Sequence, residues 1–324
     1  VSALLEVEGL SVTLGGVSLL DRVGFRVAPG EILGLVGESG SGKSLTLRAI
    51  LRLLPPAARV EGRVLWQGED ALQLSAEKMR RLRGRGIAVI FQEPMTALDP
   101  VLPVSVQIAE SLAEHRGLRG RAARARVIEL LDLVGIPDAR RRLDAYPHEF
   151  SGGMRQRVMI AIALAAEPRL LLADEPTTAL DVTIQDQILK LLLRLREELG
   201  MGVILVTHDL GVVAETCDRV AVLYAGRIME SGPVEQVFAA PAHAYTLGLL
   251  RSMPDGRHAH QKLAAINGQP PDPRALPPGC RFAPRCGFAT EACRAAVPEL
   301  AAIGAAHFSA CLHAQRVRLQ RDAA

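Results

Sequence analysis

One run, Gly37-Glu38-Ser39-Gly40-Ser41-Gly42-Lys43-Ser44, fits the spacing G-x-x-x-x-G-K-[ST]. These residue types suit phosphate. Glycines let consecutive backbone N–H groups curl around phosphate oxygens, and a helix N-terminus adds positive potential. Lys43 would reach the β- and γ-phosphates and the Ser44 hydroxyl would ligate Mg2+. A glycine-rich turn that binds nothing is the plain alternative. Context weighs against it, because the run lies between a tight apolar strand at 32–36 and an apolar helix reaching 54. A second constellation, Asp174-Glu175, ends the apolar stretch 170–173, a buried strand whose carboxyl end is where open α/β sheets place ligands. By itself an acidic pair there is a helix N-cap. Beside a phosphate loop, Asp174 can hold a metal's water shell while Glu175, pointing the other way, activates a water.

A third stretch, FSGGMRQRV at 150–158, puts a serine and two glycines directly before an apolar helix. Ser151 as an N-cap followed by flexible glycines accounts for the serine but leaves the glycine pair unexplained. Finally, Cys280, Cys286, Cys293 and Cys311 are separated by five, six and seventeen residues, with Cys217 apart from them. In a reducing compartment such clustering favours a metal site over disulfides or scattered buried thiols, and the spacing points first to zinc.

The elements that must position these groups follow from periodicity. Apolar alternation marks strands around 4–13, and further strands are expected at 32–36, 87–91, 170–173, 203–206 and 220–224. Between about 94 and 166 strand signals vanish, and 104–115, 122–134 and 153–166 carry helical period, a helical insertion within an α/β domain. Ile184, Ile188, Leu191, Leu195 and Leu199 share one face of a later helix. Beyond 254 the composition changes, with five prolines in 267–279 before the cysteines. The expected division is 1–250 and 251–324.

With 324 residues, 49% of them hydrophobic and 23% charged, the chain has ample material for a large core. Lys and Arg number 38 against 35 Asp and Glu, which gives nucleic acid no bulk electrostatic attraction. The arginine groups at 80–85, 119–126 and 140–142 are expected on solvated helix faces. The run 158–166 is too short to cross a bilayer, for which about 20 apolar residues are needed. The N-terminal stretch, with Glu6 and Glu8 among apolar residues, reads as a strand and not as a signal peptide, so a cytoplasmic location is expected.

In this order and spacing the motifs resemble those of the nucleotide-binding subunits of ATP-binding cassette (ABC) transporters, over nearly the whole chain. The resemblance implies a P-loop NTPase fold of class α/β: a RecA-like core, an N-terminal antiparallel β subdomain, a helical subdomain carrying the signature and a small cysteine-rich extension. FSGGMRQRV looks like the family signature, with Met154 where many members have Gln. Two such ATPases dimerise head to tail, so Ser151, Gly152, Gly153 and Met154 would cap the γ-phosphate of ATP held by the partner's loop. Gln92 matches the Q-loop glutamine near Mg2+ and the attacking water. Ala179-Leu180-Asp181 matches the D-loop, and His208 the switch histidine at the γ-phosphate. Glu175 is then the general base and Asp174 a Mg2+ residue. The family's usual adenine-stacking aromatic is replaced by Leu14, which implies modest ATP affinity and weak discrimination against GTP.

GCRFAPRC with Cys293, Pro298, His307 and Cys311, NGQPPDP, FQEPMTALDP and TALDVTIQDQIL resemble the branch serving dipeptide, oligopeptide and nickel importers. That resemblance implies a four-iron four-sulfur cluster on the four cysteines, zinc being the alternative. It implies a second, non-identical ATPase subunit, a homodimer being the alternative, with two transmembrane permease subunits, an extracytoplasmic binding protein and a peripheral place on the cytoplasmic face of the membrane. Import of nickel or another small solute is the alternative cargo. A soluble cassette ATPase acting on DNA repair or ribosomes is the rival, disfavoured by the single cassette and the lack of a basic surface. A peptide-binding or metal-sensing tail could coexist with the motor.

Overall fold

The computed structural model describes residues 3–92, 97–178, 180–253 and 266–320. Its strands in chain order are β1 (Leu5–Leu14), β2 (Val17–Val27), β3 (Ile32–Val36), β4 (Ala58–Trp66), β5 (Glu69–Asp70), β6 (Ile87–Ile90), β7 (Leu170–Asp174), β8 (Gly202–Thr207), β9 (Arg219–Tyr224), β10 (Arg227–Pro233), β11 (Ala301–Gly304) and β12 (His307–Ser309). The chain forms two compact units. One comprises Val1–Leu4, Val27–Glu31 and Gln73–Val206, the other Leu5–Arg26, Ile32–Leu72 and Thr207–Ala324.

In the first unit β8, β7 and β6 lie side by side and parallel. Residues 170–174 are all buried, which suits a strand covered on both faces and explains why its sequence shows no alternation. The helical stretch consists of Val104–Arg116, Gly120–Leu133 and Gly152–Leu164, every end within two residues of the periodicity. The helix Val182–Leu199 turns Ile188, Leu191 and Leu195 inward, and Asp181 caps it by accepting a hydrogen bond from the Ile184 N–H at 2.9 Å. A helix at Ala76–Arg85, kinked at Arg83 and Gly84, precedes β6. Its arginines face acids at the surface, Arg80 with Glu114 and Arg81 with Glu77, as do Arg124 and Arg126 farther on. Such exposed pairs each contribute about 0–1 kcal/mol.

In the second unit one antiparallel sheet runs β2-β1-β4-β5. The alternation in β1 slips by one at Gly9: Leu5 and Val7 point inward before it, Leu10 and Val12 after it, and the β4 register shifts at the same place. That is a β-bulge, which keeps both halves of the strand facing the core. The other strands run β11-β12-β10-β9-β3. β3 and β9 pair in parallel, and the remainder are antiparallel. The cysteine-bearing region therefore adds strands to a sheet begun by β3. It also shares a core, since Cys280, Phe282, Cys293 and Val317 pack with Val36, Val222, Tyr224 and Tyr245. Among the described residues no helix is long and apolar enough to cross a membrane.

Candidate functional site

The phosphate loop leaves β3 and enters the helix Lys43–Ile50. Gly37 has a φ of 151°, and a Cβ there would lie 2.0 Å from the Leu223 carbonyl oxygen, so only glycine lets the loop press against β9. Lys43 is buried, and its ammonium donates to the carbonyls of Gly37 at 2.7 Å and Glu38 at 3.0 Å, folding the side chain back across the loop. The Gly226 N–H donates to the Ser41 carbonyl at 2.8 Å. The Ser41 hydroxyl is buried without a hydrogen-bond partner. A buried hydroxyl left without a partner in a glycine-rich loop fits a loop shaped for an oxygen-rich ligand. In the same unit His208 is exposed at the end of β8, just before Asp209, which caps the helix Leu210–Thr216 through the Gly211 N–H at 2.8 Å.

The acidic constellation belongs to the other unit. Asp174 is buried at the last position of β7, and Glu175 follows in left-handed backbone with a φ of 47°. That conformation is costly for a residue with a Cβ, and such strain gathers at sites where a side chain must be aimed. The Glu175 N–H donates to the Val206 carbonyl at 3.0 Å. Its Oε2 accepts from the Gln92 amide at 3.3 Å and from the Thr178 hydroxyl at 2.8 Å. The structure thus brings Gln92 and Glu175 together. It adds Thr178, whose role the sequence left unread although it stands three residues beyond the carboxylate. Asp174 and Gln92 in this unit, and Ser44 in the other, each carry an oxygen donor of the kind Mg2+ prefers, so the chemistry of each side chain taken singly fits that ion. Ala179 of the D-loop lies outside the described residues, while Asp181 is an exposed N-cap.

In FSGGMRQRV the Ser151 hydroxyl accepts from the Met154 N–H at 3.3 Å, the expected cap. Both Ser151 and Gly152 are exposed, and a Cβ on Gly152 would meet only Leu180, at an ordinary 3.6 Å. Gly153 differs. It is buried, and a Cβ there would sit 2.5 Å from Cγ2 of Ile184. The second glycine therefore has a packing reason within the chain: it lets the helices Gly152–Leu164 and Val182–Leu199 approach.

Cys280, Cys286, Cys293 and Cys311 line one small cavity with His243, His313 and Phe282. Burial raises the thiols of Cys280 and Cys286, and raises Cys311 to about 11. Among the described residues no group of three or more His, Cys, Asp or Glu is arranged to hold a metal ion. His243, fully buried beside them, is lowered to about 4 by that burial.

Residues 20–178 match the ABC transporter family, and residues 229–293 match the family described as oligopeptide/dipeptide transporter, C-terminal region. A peptide import ATP-binding protein of Brucella abortus is 53% identical over 306 residues, covering 93% of this chain and 92% of its own. Another of that description, from Brucella ovis, is 51% identical over 333 residues, covering 97% and 98%. Among solved structures, CbiO1 of Clostridium perfringens, part of the ABC transporter complex CbiONQ, aligns with a TM-score of 0.65 at 31% identity, over 74% of this chain and 92% of its own. A dimeric ATP-binding cassette in a post-hydrolysis state, bound to ADP and Pi, aligns with a TM-score of 0.63 at 31% identity, over 71% and 98%.

Proposed function

The chain belongs to the ATP-hydrolysing subunits of ABC transporters, and on that premise we propose that it is the motor of a peptide importer, docked peripherally on membrane permease subunits. The observation that carries the mechanism is the aim of Glu175, held by Gln92 and Thr178 at the end of β7. In this reading the phosphate loop 37–44 cradles the ATP phosphates and Lys43 leaves the loop carbonyls for the β- and γ-oxygens. Ser44, Asp174 and Gln92 would hold Mg2+, which would supply positive charge to the phosphates. Glu175 takes the proton of the attacking water, and His208 donates to the γ-phosphate as negative charge develops. Ser151, Gly152, Gly153 and Met154 serve the nucleotide of a second ATPase subunit, with Asp181 at the same interface. Closure of that dimer swings the helical insertion at about 94–166 against the permeases, and hydrolysis reopens it.

The finer reading follows the branch. The second ATPase is a non-identical chain, an extracytoplasmic binding protein delivers peptides, and the assembly sits at the cytoplasmic face of the inner membrane. The ATPase domain spans 1–250 and the extension 251–324. The four cysteines take up a four-iron four-sulfur cluster, a reading supported by their convergence on one cavity. Iron and acid-labile sulfide in anaerobically purified protein would bear this out. Stoichiometric zinc without sulfide would overturn it.

The test of the motor is Glu175→Gln, which keeps the shape and removes the base. Turnover is expected to fall by a factor on the order of 10^2 or more while ATP stays bound. Full steady-state hydrolysis in that variant refutes the assignment.

A further inference from the structure

The segment that carries Cys280 and Cys286 also carries arginines that reach the phosphate loop. The Arg285 side chain is only 5% exposed and meets the Glu38 carboxylate with two prongs, Nη1 to Oε2 at 2.6 Å and Nη2 to Oε1 at 2.9 Å. Its own orientation is fixed. Nη1 donates to the Tyr224 hydroxyl at 3.2 Å and Nε to the Asn267 carbonyl at 2.9 Å, and the guanidinium lies over the rings of Tyr224 and Phe282. The hydrogen bond it donates to Glu38 raises Arg285 above the usual guanidinium range.

Glu38, the second residue of the loop, is held at every polar group. Its N–H donates to the Tyr245 hydroxyl at 2.8 Å and its carbonyl accepts from Lys43 at 3.0 Å. Arg281, from the same segment, donates to the Ala225 carbonyl and to Asp21 at 2.8 Å. The residue after Ala225 is Gly226, whose N–H holds the Ser41 carbonyl. The cysteine-bearing segment thus reaches the loop directly through Arg285 and, one residue removed, through the turn that Arg281 holds.

A carboxylate within a phosphate loop needs an explanation, because it repels the ligand. A planar guanidinium meeting it with both prongs cancels its charge and fixes its direction together, which an ammonium cannot do. We propose that Arg285 is a positioning residue for the nucleotide: it neutralises and aims Glu38, so that the loop keeps its anion-binding shape and a triphosphate meets no bare carboxylate. The ATP affinity of the motor is then set in part from the cysteine-bearing segment. The inference goes beyond the ATPase reading but rests on the loop binding ATP.

The experiment titrates the full chain calorimetrically with the ATP analogue AMP-PNP and Mg2+. Arg285→Ala is expected to bind on the order of ten-fold more weakly, and Arg285→Lys, which keeps charge but loses the fork, to fall between. The double variant Glu38→Gln/Arg285→Ala is expected to bind at least about three-fold more tightly than Arg285→Ala alone, because the unpaired carboxylate is gone. A merely structural arginine would give no such rescue. Arg285→Ala binding within about three-fold of the unaltered chain, or a double variant no tighter than the single, overturns the proposal. If Arg285→Ala loses its cooperative melt, Arg285→Lys and Glu38→Gln/Arg285→Lys decide by the same rescue. Failure of the unaltered chain to bind AMP-PNP would overturn the ATPase reading as well, whereas binding with unchanged variants overturns this inference alone.

Discussion

Replacing Gly153 by alanine separates packing from catalysis in the signature. The added methyl would lie 2.5 Å from Ile184 Cγ2, more than about 1 Å short of ordinary contact. Ile184 cannot easily yield. It stands in the first turn of its helix, its N–H is tied to Asp181, and its β-branched χ1 has essentially one helical rotamer. Overpacking of this kind costs about 1–3 kcal/mol. Alanine regains about 0.5–1 kcal/mol of helix propensity over glycine, so Gly153→Ala should destabilise the chain by up to about 2.5 kcal/mol. In an Ile184→Ala background the clash is gone and the propensity term stands alone, so the same substitution should stabilise by about 0.5–1 kcal/mol. Urea unfolding of the four proteins reads the sign in each background. The same sign in both would refute the reasoning. Steady-state ATPase on the same proteins adds the second half: if the Gly153 N–H serves the partner's nucleotide, the double variant recovers stability and activity together, since alanine keeps that N–H.

Further outcomes are expected. Burial lowers His243 to about 4 from 6.5, so between those values the unfolded chain binds the extra proton. Its contribution, on the order of 3 kcal/mol, is full above pH 6.5 and is lost as pH falls towards 4. Denaturant midpoints of His243→Asn should lack the part of this slope seen between about pH 6.5 and 5, and an unchanged slope counts against it. Glu230 is fully buried and accepts from the N–H groups of Ala242 at 2.7 Å and His243 at 2.9 Å and from His307 at 2.8 Å. Glu230→Leu leaves those donors unpaired and should cost about 3–5 kcal/mol by urea unfolding, and a loss under about 1 kcal/mol would contradict the network. Leu14, at the end of β1, is exposed and offers no ring for stacking. ATP and GTP should therefore compete nearly equally in a displacement titration, and a strong adenine preference would show that another group holds the base.

Most of the strand and helix pattern was legible because it rests on local periodicity. The phosphate loop, the acidic pair and the Ser151 cap were legible because their chemistry demands fixed residue types at fixed spacing. Two things were not. Gly153 looked like bare backbone for a ligand, yet its neighbour Ile184 stands 31 positions away, and no local pattern announces a close approach between helices. The Arg285–Glu38 pair spans 247 positions. Its only trace in the sequence is a pair of arginines inside GCRFAPRC, where charge among apolar residues asks for a buried partner. The cysteines showed the opposite limit: their spacing proposed a metal, while the thiols share one cavity and, among the described residues, no group is arranged to hold a metal ion.

The pairing of β12 with β10 reaches beyond this site. A cut at residue 250, the obvious place by composition, would leave β10 with an open edge and strip Phe282 from the rings of Tyr224 and Tyr245. Naked strand edges recruit other chains, so a shortened cassette would tend to self-associate. Grafting the extension onto a foreign ATPase at that junction would likewise transplant two strands without the β10 edge they pair with. The part that looks detachable on paper is the far margin of the structure that holds the phosphate loop.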